Sequence, residues 1–181
     1  MNNYSKLLEL LEHSPNSKKI YDFIKQVQVD SFVDIKKQIN HLKGVWELKW
    51  SSSKSPFLNY SPLLDNLQIL DPDKSRGLNL LRPKGFLGRL CSTNILSRIE
   101  VIDHKRINVS FKKAGLLGPT LFGKKICFLS EIKKTQKGWL DTNVLTADLR
   151  ICTGYKGTTF ALLKRNDLSI NEFFKPYSLN L

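Results

Sequence analysis

The feature that most constrains this chain is a change of hydrophobic period at Gly44. Before it, apolar residues recur at helical spacing. Leu7, Leu8, Leu10 and Leu11 form a stripe behind the candidate caps Asn2 and Asn3, and Ser14-Pro15-Asn16-Ser17 interrupts it. Ile20, Phe23, Ile24 and Val27 make a second stripe. Phe32, Ile35, Ile39 and Leu42 make a third, with Asp30 or Ser31 as its cap. After Gly44 the period is two: Trp46, Leu48 and Trp50 point one way, and Val45, Glu47 and Lys49 the other. The chain therefore divides into a helical segment, 1–42, expected to pack on a strand-built domain, 43–181.

The alternation continues with short strands near Leu67–Leu70 and Leu78–Leu81, then Thr93, Ile95, Ser97, Ile99 and Val101 on one face. Asp103-His104-Lys105-Arg106 reads as a hairpin turn, and Ile107, Val109 and Phe111 as the next inward face. Ile126, Phe128 and Ile132 supply a further face. Gln136-Lys137-Gly138 and Tyr155-Lys156-Gly157 mark later turns. Many short strands with short turns predict a mainly β protein with N-terminal helices, its strands forming an antiparallel up-and-down barrel. Closing the sheet removes the exposed edges that invite aggregation.

Composition narrows the function classes. The 181 residues suit one domain, and the net charge is +13. The charge is uneven: residues 1–42 hold 6 Lys against 5 acids, while residues 74–137 hold 15 Lys and Arg against Glu100, Asp103 and Glu131. A basic block of this kind suits an anionic partner, with lipid headgroups, nucleic acid and acidic protein as the classes, or a solvated surface. The aromatics Trp46, Trp50, Phe111, Phe128, Trp139 and Phe160 sit at alternating, inward positions, which argues against nucleic-acid stacking. Cys91, Cys127 and Cys152 have no paired spacing and read as buried, inert thiols. His13, His41 and His104 are scattered, so no metal and no cofactor is expected. The N-terminus has neither a secretory pattern nor an arginine-rich transit pattern, so a cytoplasmic or mature form is expected.

Three groups of residues carry chemistry. Asp148 and Arg150 lie two apart in strand-like sequence and share a face. They read as a structural ion pair at a barrel end, or Arg150 holds the polar head of a bound molecule. Asp141 has no second catalytic group near it in sequence, so the trio is read as non-catalytic. The third group is Ala114–Gly123, with Gly115, Gly118, Pro119 and Gly123, which reads as neither helix nor strand. Its apolar Leu116, Leu117, Leu121 and Phe122 stand between Lys112-Lys113 and Lys124-Lys125. It is either a lid on the barrel mouth or a membrane-contact loop. Each Lys near an anionic surface contributes ~1 kcal/mol. Four give only about millimolar affinity, so the apolar residues would have to insert as well.

The run Gly138-Trp139-Leu140-Asp141-Thr142, then Leu145, Asp148-Leu149-Arg150-Ile151, Gly154 and Lys156-Gly157 resembles the C-terminal signature of the plastid lipid-associated protein (PAP)/fibrillin family. Leu42-Lys43-Gly44-Val45-Trp46-Glu47-Leu48, Arg76-Gly77 and Val109-Ser110-Phe111 extend the likeness over most of the chain. Thr153 departs from it, standing where the family usually has arginine. The resemblance, which is closest to a single-domain cyanobacterial form, implies a lipocalin-like barrel. It also implies peripheral association with thylakoid membranes and non-enzymatic binding of quinones, carotenoids or other isoprenoids and lipids. On that reading the ligand-lining candidates are Trp46, Leu48, Trp50, Ile107, Val109, Phe111, Phe128 and Phe160, with Arg150 at the polar head. Two alternatives accompany it. One is a scaffold with a protein partner, an isoprenoid-synthesis enzyme; the other is a barrel that handles bilin chromophores as a lyase.

Overall fold

The computed structural model describes residues 2–122, 124–133 and 137–177. Among the described residues three helices precede nine strands, and a short helix, α4 (Leu87–Leu90), stands between the third strand and the fourth: β1 (Gly44–Ser51), β2 (Leu64–Asp71), β3 (Arg76–Pro83), β4 (Ser92–Val101), β5 (Arg106–Leu121), β6 (Lys124–Glu131), β7 (Lys137–Leu145), β8 (Leu149–Gly154) and β9 (Thr159–Lys164). Eight of them close into an antiparallel barrel in the order β1-β2-β3-β4-β5-β7-β8-β9, with β9 returning to β1. The expected lipocalin-like, mainly β fold is the observed one. The ninth, β6, pairs only with the far half of β5, so the two project from the barrel as a hairpin.

Because neighbours are antiparallel, their connections alternate between two ends. The β1–β2, β3–β4, β5–β6 and β8–β9 connections ring one end, the mouth. The β2–β3, β4–β5 and β7–β8 turns lie at the other, the floor. Residues 33–42, ending in the short helix α3 (Ile39–Leu42), cross the floor and seal it. There Val33, Ile35 and Leu42 pack against Trp46, Leu70, Ile99, Ile107 and Leu145. Trp46 is fully buried, and its indole N–H donates to the Leu42 carbonyl at 2.9 Å, which satisfies the one polar atom of the plug. Gly44 has φ +152°, and a Cβ there would meet the Lys164 side chain at 2.5 Å. Only glycine allows the chain to turn from floor segment to strand at this point.

The outer wall carries two apolar layers. Helices α1 (Asn3–His13) and α2 (Ile20–Val29) lay Leu7, Leu11, Ile20, Ile24 and Val27 on Val144, Leu149, Ile151, Ala161 and Leu163. Asn2 caps α1 by accepting the Ser5 N–H at 2.8 Å. On the opposite wall Phe173 and Phe174 of the C-terminal helix α5 (Ile170–Phe174), with Tyr177, cover Val45, Leu67, Ile69, Leu78, Leu80, Leu96 and Leu117.

Two expectations are corrected here. The stretch Ala114–Leu121 is strand, not loop: it continues β5, bonded to β4 on one side and β6 on the other. Its glycines permit strand contact instead of breaking it, since a Cβ on Gly115 would collide with the Phe128 carbonyl oxygen. The second concerns the cysteines. All three are free, but Cys91 is exposed and Cys127 half-buried, leaving only Cys152 in the interior. No helix among the described residues is long and apolar enough to cross a membrane.

Candidate functional site

The barrel interior is filled near the floor and hollow toward the mouth. A cavity of about 630 Å³ lies there. Strand alternation turns Leu48, Leu81, Ile95, Val109, Phe111, Leu140, Phe160 and Leu162 onto its wall. Phe57 and Leu58 from the β1–β2 connection and Tyr155 and Lys156 from the β8–β9 turn stand at its rim. Asn66, Gln68, Asn79 and Thr93 interrupt an otherwise apolar surface. The Gln68 side-chain amide donates to the Asn79 side-chain oxygen at 3.2 Å, which joins β2 to β3 inside the barrel.

Below this polar strip lies Arg150, only 1% exposed. One guanidinium nitrogen donates to the Gln68 carboxamide oxygen. The guanidinium carbon lies 5.2 Å from the Trp46 ring centre, and the Lys164 ammonium is 5.2 Å from a ring centre of the same residue. Nε and Nη1 have no protein acceptor among the described residues. Burial pushes the Arg150 guanidinium below its ordinary value and the neighbouring Cys152 thiol above its own. Arginine nevertheless stays protonated near neutrality. Lys164 is also pushed down by burial, opposed by Asp148.

The expected Asp148–Arg150 ion pair is absent among the described residues. Asp148 precedes β8, in the exposed β7–β8 turn, whereas Arg150 points into the barrel and meets Gln68 instead. The third member of the signature, Asp141, holds Arg106 through two hydrogen bonds of 2.7 Å, and that guanidinium lies over Trp139.

Of the predicted lining residues, Leu48, Val109, Phe111 and Phe160 reach the cavity. Trp46 and Ile107 face inward but lie deeper, in the packed floor. Trp50 faces outward: a bulge between Leu48 and Trp50 shifts the register and turns its indole onto Tyr21 of α2, ring centres 5.9 Å apart. Phe128 is 70% exposed on the β5–β6 hairpin, beyond the mouth. Leu162 and Cys152 were missed, though each stands two residues along a strand from a position that sequence alternation does mark, Phe160 and Arg150. Gln68, Asn66 and Asn79 give no such signal, because polar residues on an alternating strand read as outward.

The proposed contact segment divides as well. Leu116, Leu121 and Phe122 are exposed, whereas Leu117 is buried against the cluster that α5 covers. Lys112 is exposed and Lys113 half-buried; the side chains of Lys124 and Lys125 lie outside the described part of the structure. Phe122, at the hairpin tip, takes φ +50° with its ring wholly in solvent. That backbone is rare for a bulky residue. Phe57, Leu63, Phe86 and Leu87 on the neighbouring mouth connections are also exposed. No cluster of His, Cys, Asp and Glu suited to a metal occurs among the described residues.

Compared with known proteins, residues 9–163 match the family model PAP_fibrillin. No curated protein and no solved structure matches the chain.

Proposed function

The chain belongs to the PAP/fibrillin family of lipid-associated proteins, and from that premise we propose that it binds a small apolar molecule, isoprenoid or lipid-like, in its barrel cavity and does so at a photosynthetic membrane. The observation that carries this reading is the cavity itself. At about 630 Å³ it falls within the size range of small-ligand sites, and its wall is apolar with a few polar groups at one level. Phe57, Leu58 and Tyr155 stand beside Lys156 at its open rim, so a greasy ligand meets apolar side chains from the mouth down to the polar strip of Asn66, Gln68, Asn79 and Thr93.

A non-catalytic role is supported by the groups on that wall. They are amides, the hydroxyls of Thr93, Thr158 and Tyr155, the Trp139 indole, a thiol whose pKa burial raises and one rim lysine. None of these is paired as nucleophile and base in the way covalent or acid–base chemistry requires. The membrane-facing part is assigned to the mouth. Phe57, Leu63, Phe86, Leu121 and Phe122 are exposed there, and Lys54, Lys133, Lys137 and Lys156 are exposed on the same connections or beside them. Apolar side chains that insert, ringed by cations that meet anionic headgroups, form an interfacial anchor.

The test is titration with the neutral apolar fluorophore N-phenyl-1-naphthylamine. The expected result is saturable binding. In Thr93→Trp, whose indole would occupy the mouth-side cavity, affinity should fall by roughly tenfold or more while the unfolding midpoint stays within a few degrees. Absence of saturable binding, or equal binding by the Thr93→Trp protein, overturns the reading.

A further inference from the structure

Among the described residues Arg150 is the one charged side chain that is fully buried. Its placement is unusual. A guanidinium in the interior normally keeps a carboxylate, because leaving a buried charge uncompensated costs several kcal/mol. Here its neighbours are Gln68, Trp46 and, on the adjacent strand β9, Leu162. The second inward cation at this depth is Lys164, whose ammonium donates to the His41 carbonyl at 2.9 Å. The nearest acid in chain order, Asp148, is exposed. Glu47, Asp65 and Asp71 are also buried but belong to the outer face, where each is bonded to arginine or lysine. The packed layer beneath the cavity is therefore cationic, and two guanidinium nitrogens there have no protein acceptor among the described residues.

The cavity ends at the neighbours of this group, and Arg150 itself lies one layer below its wall. Gln68, which accepts from Arg150, lies on the cavity wall, and so do Cys152 and Leu162, the residue two along β8 and the cross-strand partner of Arg150. A polar strip above a buried cation, at the closed end of an apolar hollow, has the polarity of an amphiphile in reverse.

We propose that the cavity selects an apolar ligand bearing a carboxylate, which enters head first and places its anionic oxygens on Arg150 and the Gln68–Asn79 amides while its apolar chain runs toward the mouth. This rests on the apolar-ligand reading above and adds the headgroup and its direction. The carboxylate supplies the missing countercharge and accepts from the two spare donors. An ester or alcohol of the same chain fills the same space without the charge.

The experiment displaces N-phenyl-1-naphthylamine from the protein with dodecanoate and with methyl dodecanoate. The expected result is displacement by dodecanoate at roughly tenfold or more lower concentration, the size expected of a charge-assisted hydrogen bond out of water. In Gln68→Glu the protein carries its own carboxylate beside Arg150. That variant should keep its fold and lose the preference for the acid. Lys18→Gln, exposed between α1 and α2 and remote from the cavity, should retain it, which separates the buried cation from the overall positive charge. Equal displacement by acid and ester overturns the headgroup assignment and leaves apolar binding standing. So does a preference that survives Gln68→Glu or disappears in Lys18→Gln. Failure of the fluorophore and both competitors to bind overturns both readings.

Discussion

The two ends of this barrel are built from the same strands and treated in opposite ways. At the floor the turns are short and polar, with Asp73, Lys74, Asp103, His104 and Lys105 in water, and the apolar residues beneath them are sealed by residues 33–42. At the mouth the connections are longer, and it is their apolar residues that face solvent: Phe57, Leu63, Phe86 and Phe122 are all more than two-thirds exposed. Folding alone gives no reason for the second arrangement. Exposed apolar side chains contribute little to stability, and contiguous patches of them mark contact surfaces. The difference separates two kinds of hydrophobic residue in one chain, those that hold the fold and those the fold holds out.

The contrast is broken most severely at Trp46. Its side chain is the largest fully buried one, and truncation leaves a hole where the floor segment, β1 and Arg150 meet. Trp46→Ala is expected to cost about 3–5 kcal/mol, which lowers the thermal midpoint by roughly 10 °C in a chain of this size. Differential scanning calorimetry measures it. A change of only a few degrees would mean that the floor does not organise the barrel.

Phe122 gives the converse. Its ring touches solvent on all sides, so Phe122→Ser should leave the unfolding midpoint unchanged, within about 0.5 kcal/mol. Insertion of a phenylalanine into a lipid interface is worth roughly 1.5–3 kcal/mol, so binding to vesicles of phosphatidylglycerol mixed with phosphatidylcholine should weaken about 10–100-fold. Cosedimentation reads this directly. Unchanged vesicle binding would remove the hairpin tip from the proposed contact surface.

The floor was legible in the sequence and the mouth was not, for physical reasons. The change of period at Gly44, the Gly-x-Trp strand and the alternation over 93–111 each reflect burial, and burial is what hydrophobic pattern records. The family resemblance carried by 138–157 pointed to the same barrel. The pattern failed where geometry departs from regular alternation. The bulge between Leu48 and Trp50 moved an aromatic from the lumen to the outer wall, and Gly115 pairs with Leu129 while Gly118 stays within β5 despite the glycine-rich composition. Arg150 was marked, but with the wrong partner. Spacing along β8 suggested Asp148, whereas the group that meets it, Gln68, comes from β2 on another wall, a contact that only barrel closure creates.

The smallest expected effect concerns the residue that ties the two ends together along the outer wall. Glu47 is 3% exposed. It bonds Lys84, next to the β3–β4 connection at the mouth, at 3.5 Å; Lys49 at 3.2 Å; and Arg165, just past β9 at the floor, at 3.1 Å. Burial alone would raise its pKa; Lys49, Lys84 and Arg165 together outweigh that and hold it below the ordinary 4.5. A carboxyl whose folded value is depressed stabilises the protein above its unfolded value, and the contribution is lost as pH falls through the folded one. The midpoint should therefore be flat above about pH 5 and drop below it. In Glu47→Gln, expected to be about 1–3 kcal/mol less stable at pH 7, part of that acid-side drop should vanish. Asp167, held at about 2 by Arg165, is solvent-facing and belongs to the more acidic end of the same window. If wild type and Glu47→Gln lose stability in parallel between pH 5 and 3, the three cations do not act through this carboxylate, and mouth and floor are joined by the strands alone.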